Sequence, residues 1–205
     1  SMSSMLFFEA LDRLYQGRAL SIVNISGAST NFHEGYAREL ARIREKVIVV
    51  ASAGNQANPN GQVYPGRYPG VVAVGFTNAA GELDPASARE DWVTLVAPGR
   101  QILTTYAGSR YACVAGSSFA TPIVTGAFAL AARKFPAYTA DALRKQIICN
   151  SSGRGRKFQG SQIGKGYGVL SIDSALNGSQ QASPQGCEYE PGRDGILVAA
   201  ELSHP

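Results

Sequence analysis

The segment from residue 113 to residue 133 constrains the fold of this chain more than any other. Its Gly-Ser-Ser turn leads directly into a run that is apolar on every face, made of Phe119, Ala120, Ile123, Val124, Ala127, Phe128, Leu130 and Ala131. A helix that is apolar all round needs other elements packed about it, so we expect a central, buried helix over residues 118–133. Pro122 must lie near the start of that helix, because proline has no backbone N–H to donate in a helix interior.

Two interpretations of the serines in this turn are open. Ser117 and Ser118 are residues of a type that caps helices, since a hydroxyl can accept a hydrogen bond from the unpaired amides of the first turn. Ser118 would equally lie at the positive end of a buried helix, where an anion that develops during a reaction is stabilised. A position of this kind suits a nucleophile, and Pro122 favours this second interpretation of Ser118.

Strand-length and helix-length patterns alternate along the first 150 residues. Apolar, β-branched runs predict buried strands near residues 19–26, 47–53, 71–76 and 93–97. Helical spacing predicts a helix over residues 4–16 and another over 139–149 with Thr139 as its N-cap. It also predicts a helix between them, with Tyr36, Leu40, Ile43 and Val47 on one face. This alternation indicates an α/β fold of three layers with a mainly parallel sheet, and a functional site at the carboxyl ends of the strands.

The C-terminal part of the sequence changes character. Residues 166–173 predict a turn that leads into a short strand or the start of a helix. Residues 177–192 are rich in Ser, Gln, Gly and Pro, a composition typical of a linker, and residues 196–202 predict one short terminal strand. We therefore expect one domain over residues 3–177 and a linker-like extension over residues 178–205.

Composition and charge argue against several classes of function. The 205 residues carry a net charge of +4, and the Lys and Arg residues are scattered without the interleaved aromatic residues of a nucleic-acid-binding surface. The longest apolar run near the N-terminus, residues 5–8, is too short for a signal peptide or a membrane span. Cys113, Cys149 and Cys187 cannot all pair within the chain and do not have metal-ligand spacing. We expect neither a nucleic acid nor a membrane as a partner.

Residues 116–122, Gly-Ser-Ser-Phe-Ala-Thr-Pro, resemble the serine box of the subtilisin-like serine proteases, whose usual form is Gly-Thr-Ser-Met-Ala-Thr-Pro. The resemblance implies that Ser118 is the nucleophile of a serine endopeptidase. Three departures from the family pattern, Ser117, Phe119 and Ile123, leave the nucleophile position unchanged. The resemblance extends over about residues 5–177, which implies that residues 3–177 are part of a subtilisin-like catalytic domain.

Further segments carry the same resemblance. Residues 47–55 are similar to the family's strand that ends in Ala-Gly-Asn, which implies that Asn55 donates a hydrogen bond in the oxyanion hole. A donor fixed at the end of a buried strand suits the charge that develops on a carbonyl oxygen. Residues 64–75, 96–99 and 165–170 match other segments of the family pattern.

The resemblance also implies where a substrate binds. In relatives, the segment that matches residues 26–29 binds the substrate backbone as an added strand, a known mode of peptide recognition. In this segment we assign substrate contacts to Ser26, Gly27 and Ala28. From the resemblance we also assign them to Ala53 and Gly54, the two residues before Asn55. The family's usual pair of glycines is replaced by Ala28 and Ser29, whose two β-carbons narrow the approach. A peptide or protein substrate is the expected partner.

The sequence does not contain the acid and base boxes of the family. A serine hydroxyl needs a base to take its proton, and that base needs an orienting carboxylate. In the family the Asp and His boxes precede the helix with which this chain begins, and no Asp-Ser-Gly or Asp-Thr-Gly occurs in the chain. The two histidines, His33 before a surface helix and His204 in the tail, are expected to be solvated or capping residues.

Three explanations stay open for a chain with the nucleophile and oxyanion half of a protease. The chain is half of an enzyme whose first half is a separate or removed segment, or it is a pseudoprotease that binds peptides as an interaction module, or an unusual base replaces histidine. Intact Asn55 and Ser118 favour the first explanation. The change at Ala28 and Ser29 favours the second, and no residue supports the third.

Without the family's earlier strands, strand 19–26 has an unpaired edge. Such an edge is a template for pairing with another chain, here the missing N-terminal half or a second copy of this chain. Relatives often hold calcium in loops and are often secreted or periplasmic. No clustered carboxylates mark a calcium site in this sequence, so we assign no metal or other cofactor, and the sequence indicates no compartment.

Overall fold

The structure is a computed structural model that describes residues 4–17, 19–55, 63–90, 92–151 and 168–178. Helices and strands alternate through most of this part of the chain. In chain order the elements are α1 (Ser4–Gln16), β1 (Ser21–Ile25), α2 (Glu34–Ile43), β2 (Val47–Ser52), β3 (Val71–Thr77), β4 (Leu95–Pro98), β5 (Ile102–Tyr106), β6 (Arg110–Val114), α3 (Ser117–Lys134), α4 (Ala140–Cys149) and α5 (Ile172–Asn177).

The four predicted strands form one parallel sheet in the order β1-β2-β3-β4. The central strands β2 and β3 bury every residue, as β-branched runs do when helices cover both faces of a sheet. β1 lies at one edge, is only half-buried and exposes Asn24. The expectation that this strand is buried on both sides is therefore wrong, because an edge strand lacks a neighbour on one side.

Helices cover both faces of the sheet and make three layers. Successive residues of β2 point to opposite faces. Ile48 and Val50 belong to the core beneath α3 and α4, whereas Val47 and Val49 belong to the core beneath α1 and α2. The predicted α/β fold with a mainly parallel sheet between two helical layers is thus confirmed.

The predicted central helix is α3, and it begins one residue earlier than expected, at Ser117. Its inner face packs on all four strands of the sheet and on α4, with Phe128 fully buried. Its outer face exposes Pro122, Gly126 and Leu130. The helix is therefore buried on one side and not all round, because the described elements cover only its inner face.

An antiparallel hairpin made of β5 and β6 precedes α3, and the apolar patterns do not predict it. Gly108 and Ser109 in its turn both have positive φ, of 74° and 56°, a backbone geometry that hairpin turns use. Leu103, Tyr106 and Tyr111 of the hairpin are exposed. Alternation of apolar and polar residues is the usual sequence signal of a half-buried strand. These two strands do not bury their large apolar side chains, so they lack that signal.

Two expectations for the C-terminal half of the domain are confirmed. The hydroxyl of Thr139 accepts a hydrogen bond of 3.2 Å from the N–H of Ala142, so Thr139 caps α4 as predicted. Val169 then pairs with Val96 of β4, and α5 begins three residues later. In the parts of the chain that the structure describes, no helix combines the length and apolarity needed to cross a membrane.

Some predictions fall on residues that the structure does not describe. These are the start of the closing turn at residues 165–167, the terminal strand at residues 196–202 and the linker-like extension from residue 179 onward. His204 and Cys187 also lie among the residues that the structure does not describe. The boundary between the domain and the extension therefore stays a prediction.

An ion pair between the buried Asp84 and the partly exposed Arg100 joins the loop after β3 to the loop after β4. Asp84 is fully buried, and Arg100 donates to both of its carboxylate oxygens, with one bond of 2.8 Å. The N–H of Ala86 donates a further bond of 2.9 Å. The hydrogen bonds from Arg100, above all, hold the pKa of Asp84 below its usual value. The ionised carboxylate therefore stabilises the fold at neutral pH.

We expect Asp84→Asn to lower the free energy of unfolding at pH 7 by about 1.5–3 kcal/mol, the usual worth of a hydrogen bond to a charged group. A depressed pKa gives stability that is present above the unfolded-state pKa of about 4 and is lost as the pH falls through the lower folded-state pKa. The variant should therefore show a flatter dependence of stability on pH below about 5, measured by urea denaturation. Glu82→Gln, at an exposed acid nearby, is the control, and equal flattening by both variants would refute the assignment.

Candidate active site

The turn that leads into α3 is built around Gly116. Its N–H donates to the carbonyl oxygen of Gly99 at 2.7 Å, and its φ of 141° lies in a region that other residues rarely adopt. A β-carbon at this position would lie 2.9 Å from Asn55 Nδ2, so glycine allows the turn and the asparagine to approach each other. Gly116 is also the N-cap of α3, and neither Ser117 nor Ser118 caps the helix.

Ser118 is the second residue of α3 and is half-buried. Its Oγ donates a hydrogen bond of 2.8 Å to the carbonyl oxygen of Ser26, the residue that follows β1. Because α3 is 18 residues long, its aligned peptide dipoles give this end of the helix a partial positive charge. The hydroxyl therefore lies where a negative charge would be stabilised. A carbonyl oxygen accepts a hydrogen bond but is not a base, so in this arrangement the Ser118 proton stays on its oxygen.

Asn55 lies in the loop that follows β2. Its Oδ1 accepts two hydrogen bonds from Ser117, one of 2.8 Å from the backbone N–H and one of 2.7 Å from the hydroxyl. Gly54, just before it, has a φ of 96°, which glycine adopts without strain. The end of β2 and the start of α3 therefore meet at Ser117, the residue directly before Ser118.

The segment assigned to substrate binding after β1 lies beside the same helix end. Gly27 and Ala28 are exposed, and neither uses its backbone groups in a hydrogen bond to another described residue. Ser29, by contrast, exchanges two backbone hydrogen bonds of 2.8 Å with Tyr64. Because Ser26 accepts from Ser118, the backbone groups free to pair with a peptide are concentrated at Gly27 and Ala28.

The two residues assigned to substrate binding after β2 are more restricted. Ala53 is buried, and its N–H donates to the carbonyl oxygen of Val74 at 2.9 Å. The N–H of Gly54 donates to Ser52 Oγ at 3.3 Å. Both amide groups are thus used within the protein. Because Ala53 is fully buried, of these two residues only the half-buried Gly54 offers a carbonyl oxygen that a substrate backbone could contact.

The hydroxyls of Ser52 and Ser117 also belong to this region, and the sequence motifs do not predict their contacts: Ser117 bonds to Asn55, and Ser52 bonds to Ser117. Ser52 and Ser117 are both buried, and their Oγ atoms lie 2.7 Å apart. Ser52 is the last residue of β2 and the one polar residue in it. A polar residue at the end of a buried strand needs a partner, and this was the signal available in the sequence.

His33 contacts aromatic residues and not the serine. It is exposed, its N–H donates to Tyr68 Oη at 2.8 Å, and its ring lies 5.3 Å from that of Tyr36. The side chain of His33 makes no capping hydrogen bond to α2, although the residue lies at the N-cap position. Among the described residues, no histidine or carboxylate makes a hydrogen bond to Ser118.

The described residues also contain no group of three or more His, Cys, Asp or Glu side chains that could hold a metal ion. Cys113 on β6 is an exposed free cysteine.

Comparisons with known proteins identify the family. The model of the Subtilase family matches residues 1–180. The chain is 34% identical over 167 residues to the minor extracellular protease Epr of Bacillus subtilis (strain 168), and 31% identical over 132 residues to the subtilisin of Bacillus pumilus. These alignments cover 80% and 63% of this chain but only 26% and 46% of the two relatives. The chain thus spans less than half the length of these curated relatives.

Solved structures share the fold. The prenylagaramide maturation protease PagA has a TM-score of 0.70 at 23% identity, over 86% of this chain and 68% of that one. A cold-adapted subtilisin-like serine proteinase has a TM-score of 0.70 at 23% identity, over 83% of this chain and 63% of that one. At these identities the likeness establishes a subtilisin-like fold and nothing more. Taken with the family match and the related sequences, it shows that this chain belongs to the subtilase family of subtilisin-like serine proteases.

Proposed function

We propose that this chain is the nucleophile and oxyanion-hole part of a serine endopeptidase, which needs an Asp box and a His box from another segment to act. The observation that carries the proposal is the contact between the end of β2 and the start of α3. Ser118 lies at the start of α3, and Asn55, in the loop after β2, is hydrogen-bonded to Ser117, the residue before Ser118. Ser118 would attack the substrate carbonyl, and Asn55 Nδ2 would donate to the oxygen that becomes negative.

The need for a second segment follows from the chemistry of Ser118. Its hydroxyl donates to the carbonyl of Ser26, which cannot take a proton at neutral pH. Attack on a substrate requires that this hydrogen bond break and that a base accept the proton. A histidine held by a carboxylate supplies that base in serine triads, and both would come from the other segment.

The outer edge of β1 is the proposed docking site for that segment. β1 pairs with β2 on one side, and on the other side it has no strand partner among the described residues. Thr125 of α3 donates to Asn24 of β1 at 3.0 Å, so the exposed face of α3 with Pro122 and Leu130 adjoins this strand. A segment that adds a strand to β1 and packs a helix on this face would cover both surfaces.

The test supplies the Asp and His boxes as a second chain. The segment encoded directly upstream of residue 3 is mixed with this chain, and reaction of Ser118 with a fluorophosphonate is followed by mass spectrometry. We expect slow or absent labelling of this chain alone and rapid labelling of the mixture, with Ser118→Ala as the control that abolishes it. The mixture should also have a higher Tm, because a partner that binds the folded state stabilises it by mass action.

Rapid labelling of this chain alone would contradict the need for a second segment. An upstream segment without Asp and His boxes, or one that binds without any gain in labelling, would support a pseudoprotease that binds peptides. That second candidate is favoured by the hydrogen bond that the Ser118 hydroxyl donates to the carbonyl of Ser26, an acceptor that cannot activate a nucleophile. A Tm that rises with the concentration of this chain alone would instead indicate self-association through the β1 edge.

A further inference from the structure

A short chain of hydrogen bonds runs from the interior of the protein to Asn55. Ser117 Oγ lies 2.7 Å from Ser52 Oγ and 2.7 Å from Asn55 Oδ1. Ser52 and Ser117 are almost completely buried, whereas Asn55 is exposed. Because buried hydroxyls need partners, the direction of each bond can be worked out from the donors and acceptors present.

The chain of hydrogen bonds has one direction. Asn55 Oδ1 can only accept, so the Ser117 hydroxyl donates its single hydrogen to that atom. Ser117 Oγ must then accept from Ser52, whose hydroxyl is the donor in the bond between the two serines. Ser52 Oγ in turn accepts from the N–H of Gly54 at 3.3 Å. Donation therefore passes from Gly54 through Ser52 and Ser117 to the Asn55 side chain.

The opposite orientation of the Asn55 amide would leave donors unpaired. Nδ2 would replace Oδ1 and would face the N–H of Ser117, a second donor, at about the 2.8 Å now measured to Oδ1. The Ser117 hydroxyl would accept from Nδ2 and donate to Ser52, and the hydrogen of Ser52 would then lose its acceptor. Both unpaired groups would be buried, so this orientation is disfavoured.

We infer that Ser117 and Ser52 are positioning residues that fix the Asn55 amide with Nδ2 as its outward donor. The inference rests on the proposed role of Asn55 as the donor of the oxyanion hole. Ser117 acts on Asn55 directly, through its N–H and its hydroxyl. Ser52 acts through Ser117, because hydrogen bonds in a chain polarise and strengthen one another. Gly116 leaves the space that Nδ2 needs.

The test measures the mobility of the Asn55 side chain by ¹⁵N relaxation of its NH₂ group, which Asn55→Asp identifies by removing the signals. Ser117→Thr and Ser117→Val are a matched pair, since their side chains have the same shape and only threonine keeps the hydroxyl. We expect an order parameter of about 0.8 in the unsubstituted chain and in Ser117→Thr, and below about 0.6 in Ser117→Val, as for rigid and flexible groups. Ser52→Ala should give an intermediate value.

Ser174→Ala is the control. It removes another hydrogen bond between serine hydroxyls, the bond of 2.8 Å from Ser171 at the start of α5, and should leave the Asn55 signal unchanged. Equal order parameters in Ser117→Thr and Ser117→Val would overturn the inference. If Ser117→Val does not fold, Ser52→Ala decides, and an Asn55 side chain as ordered there as in the unsubstituted chain would overturn it too.

This readout is independent of turnover. A mixture with the upstream segment that stays unlabelled would reject the proposed function, while the order parameters would still decide whether the two serines position Asn55. In an active mixture, Ser117→Val should lower kcat relative to Ser117→Thr with little change in KM. The reason is that a donor in the oxyanion hole acts mainly on the transition state.

Discussion

Hydrolysis of a peptide substrate by this chain alone should be on the order of 10⁶-fold slower than by the same chain supplied with a base and its orienting carboxylate. The magnitude is carried over from subtilisin, a relative, in which loss of the serine or the histidine lowers kcat by about this factor. The described residues give Ser118 a carbonyl acceptor at Ser26 and no base. The end of α3 and Asn55 can stabilise a negative charge only after the proton has left.

A serine substitution separates this prediction from a general loss of structure. The members of a serine triad act as a unit, so their losses are not additive. Ser118→Ala should therefore change the residual rate of this chain alone very little, and should lower the rate of the complemented chain by a factor on the order of 10⁶. Initial rates with a fluorogenic peptide measure both effects. A large drop for Ser118→Ala in the chain alone would mean that a base is already present.

The centre of the fold is predictable from the sequence because its apolar runs are compatible with few structures other than buried strands and helices. β2 and β3 are apolar up to Ser52 and Thr77 at their ends, and such runs are stable only when both faces of the sheet are covered. The start of α3 is predictable from the Gly-Ser-Ser turn and Pro122. What composition does not reveal is how much of each surface other elements cover. β1 and the outer face of α3 are therefore more exposed than their sequences indicate.

The candidate site shows a similar division. Ser118 and Asn55 are identifiable because each lies in a short motif, and the structure places both at the meeting of β2 and α3. Ser52 and Ser117 are 65 residues apart, and no local pattern indicates that their hydroxyls touch. A hydrogen-bonded chain between distant segments depends on the packing of a helix against a strand end, which the sequence does not specify residue by residue.

Phe128→Ala should lower the free energy of unfolding by about 3–5 kcal/mol, the range for removing a phenylalanine from a packed core. Phe128 is fully buried on the inner face of α3, in the core that α3 and α4 share with the sheet. The substitution removes the apolar contacts of the ring and leaves a cavity that the surrounding strands can fill only in part. Since domains are stable by about 5–15 kcal/mol, this loss would remove a large fraction of the free energy of unfolding.

Leu130→Ala is the matched control on the same helix. Leu130 is 51% exposed on the outer face of α3, so its loss should cost this chain less than about 1 kcal/mol. Urea denaturation of both variants measures the difference, and equal losses would refute the assignment of the two faces. The control has a second use, because the proposed segment would cover Leu130. In that case Leu130→Ala should weaken binding of the upstream segment while leaving the stability of the isolated chain nearly unchanged.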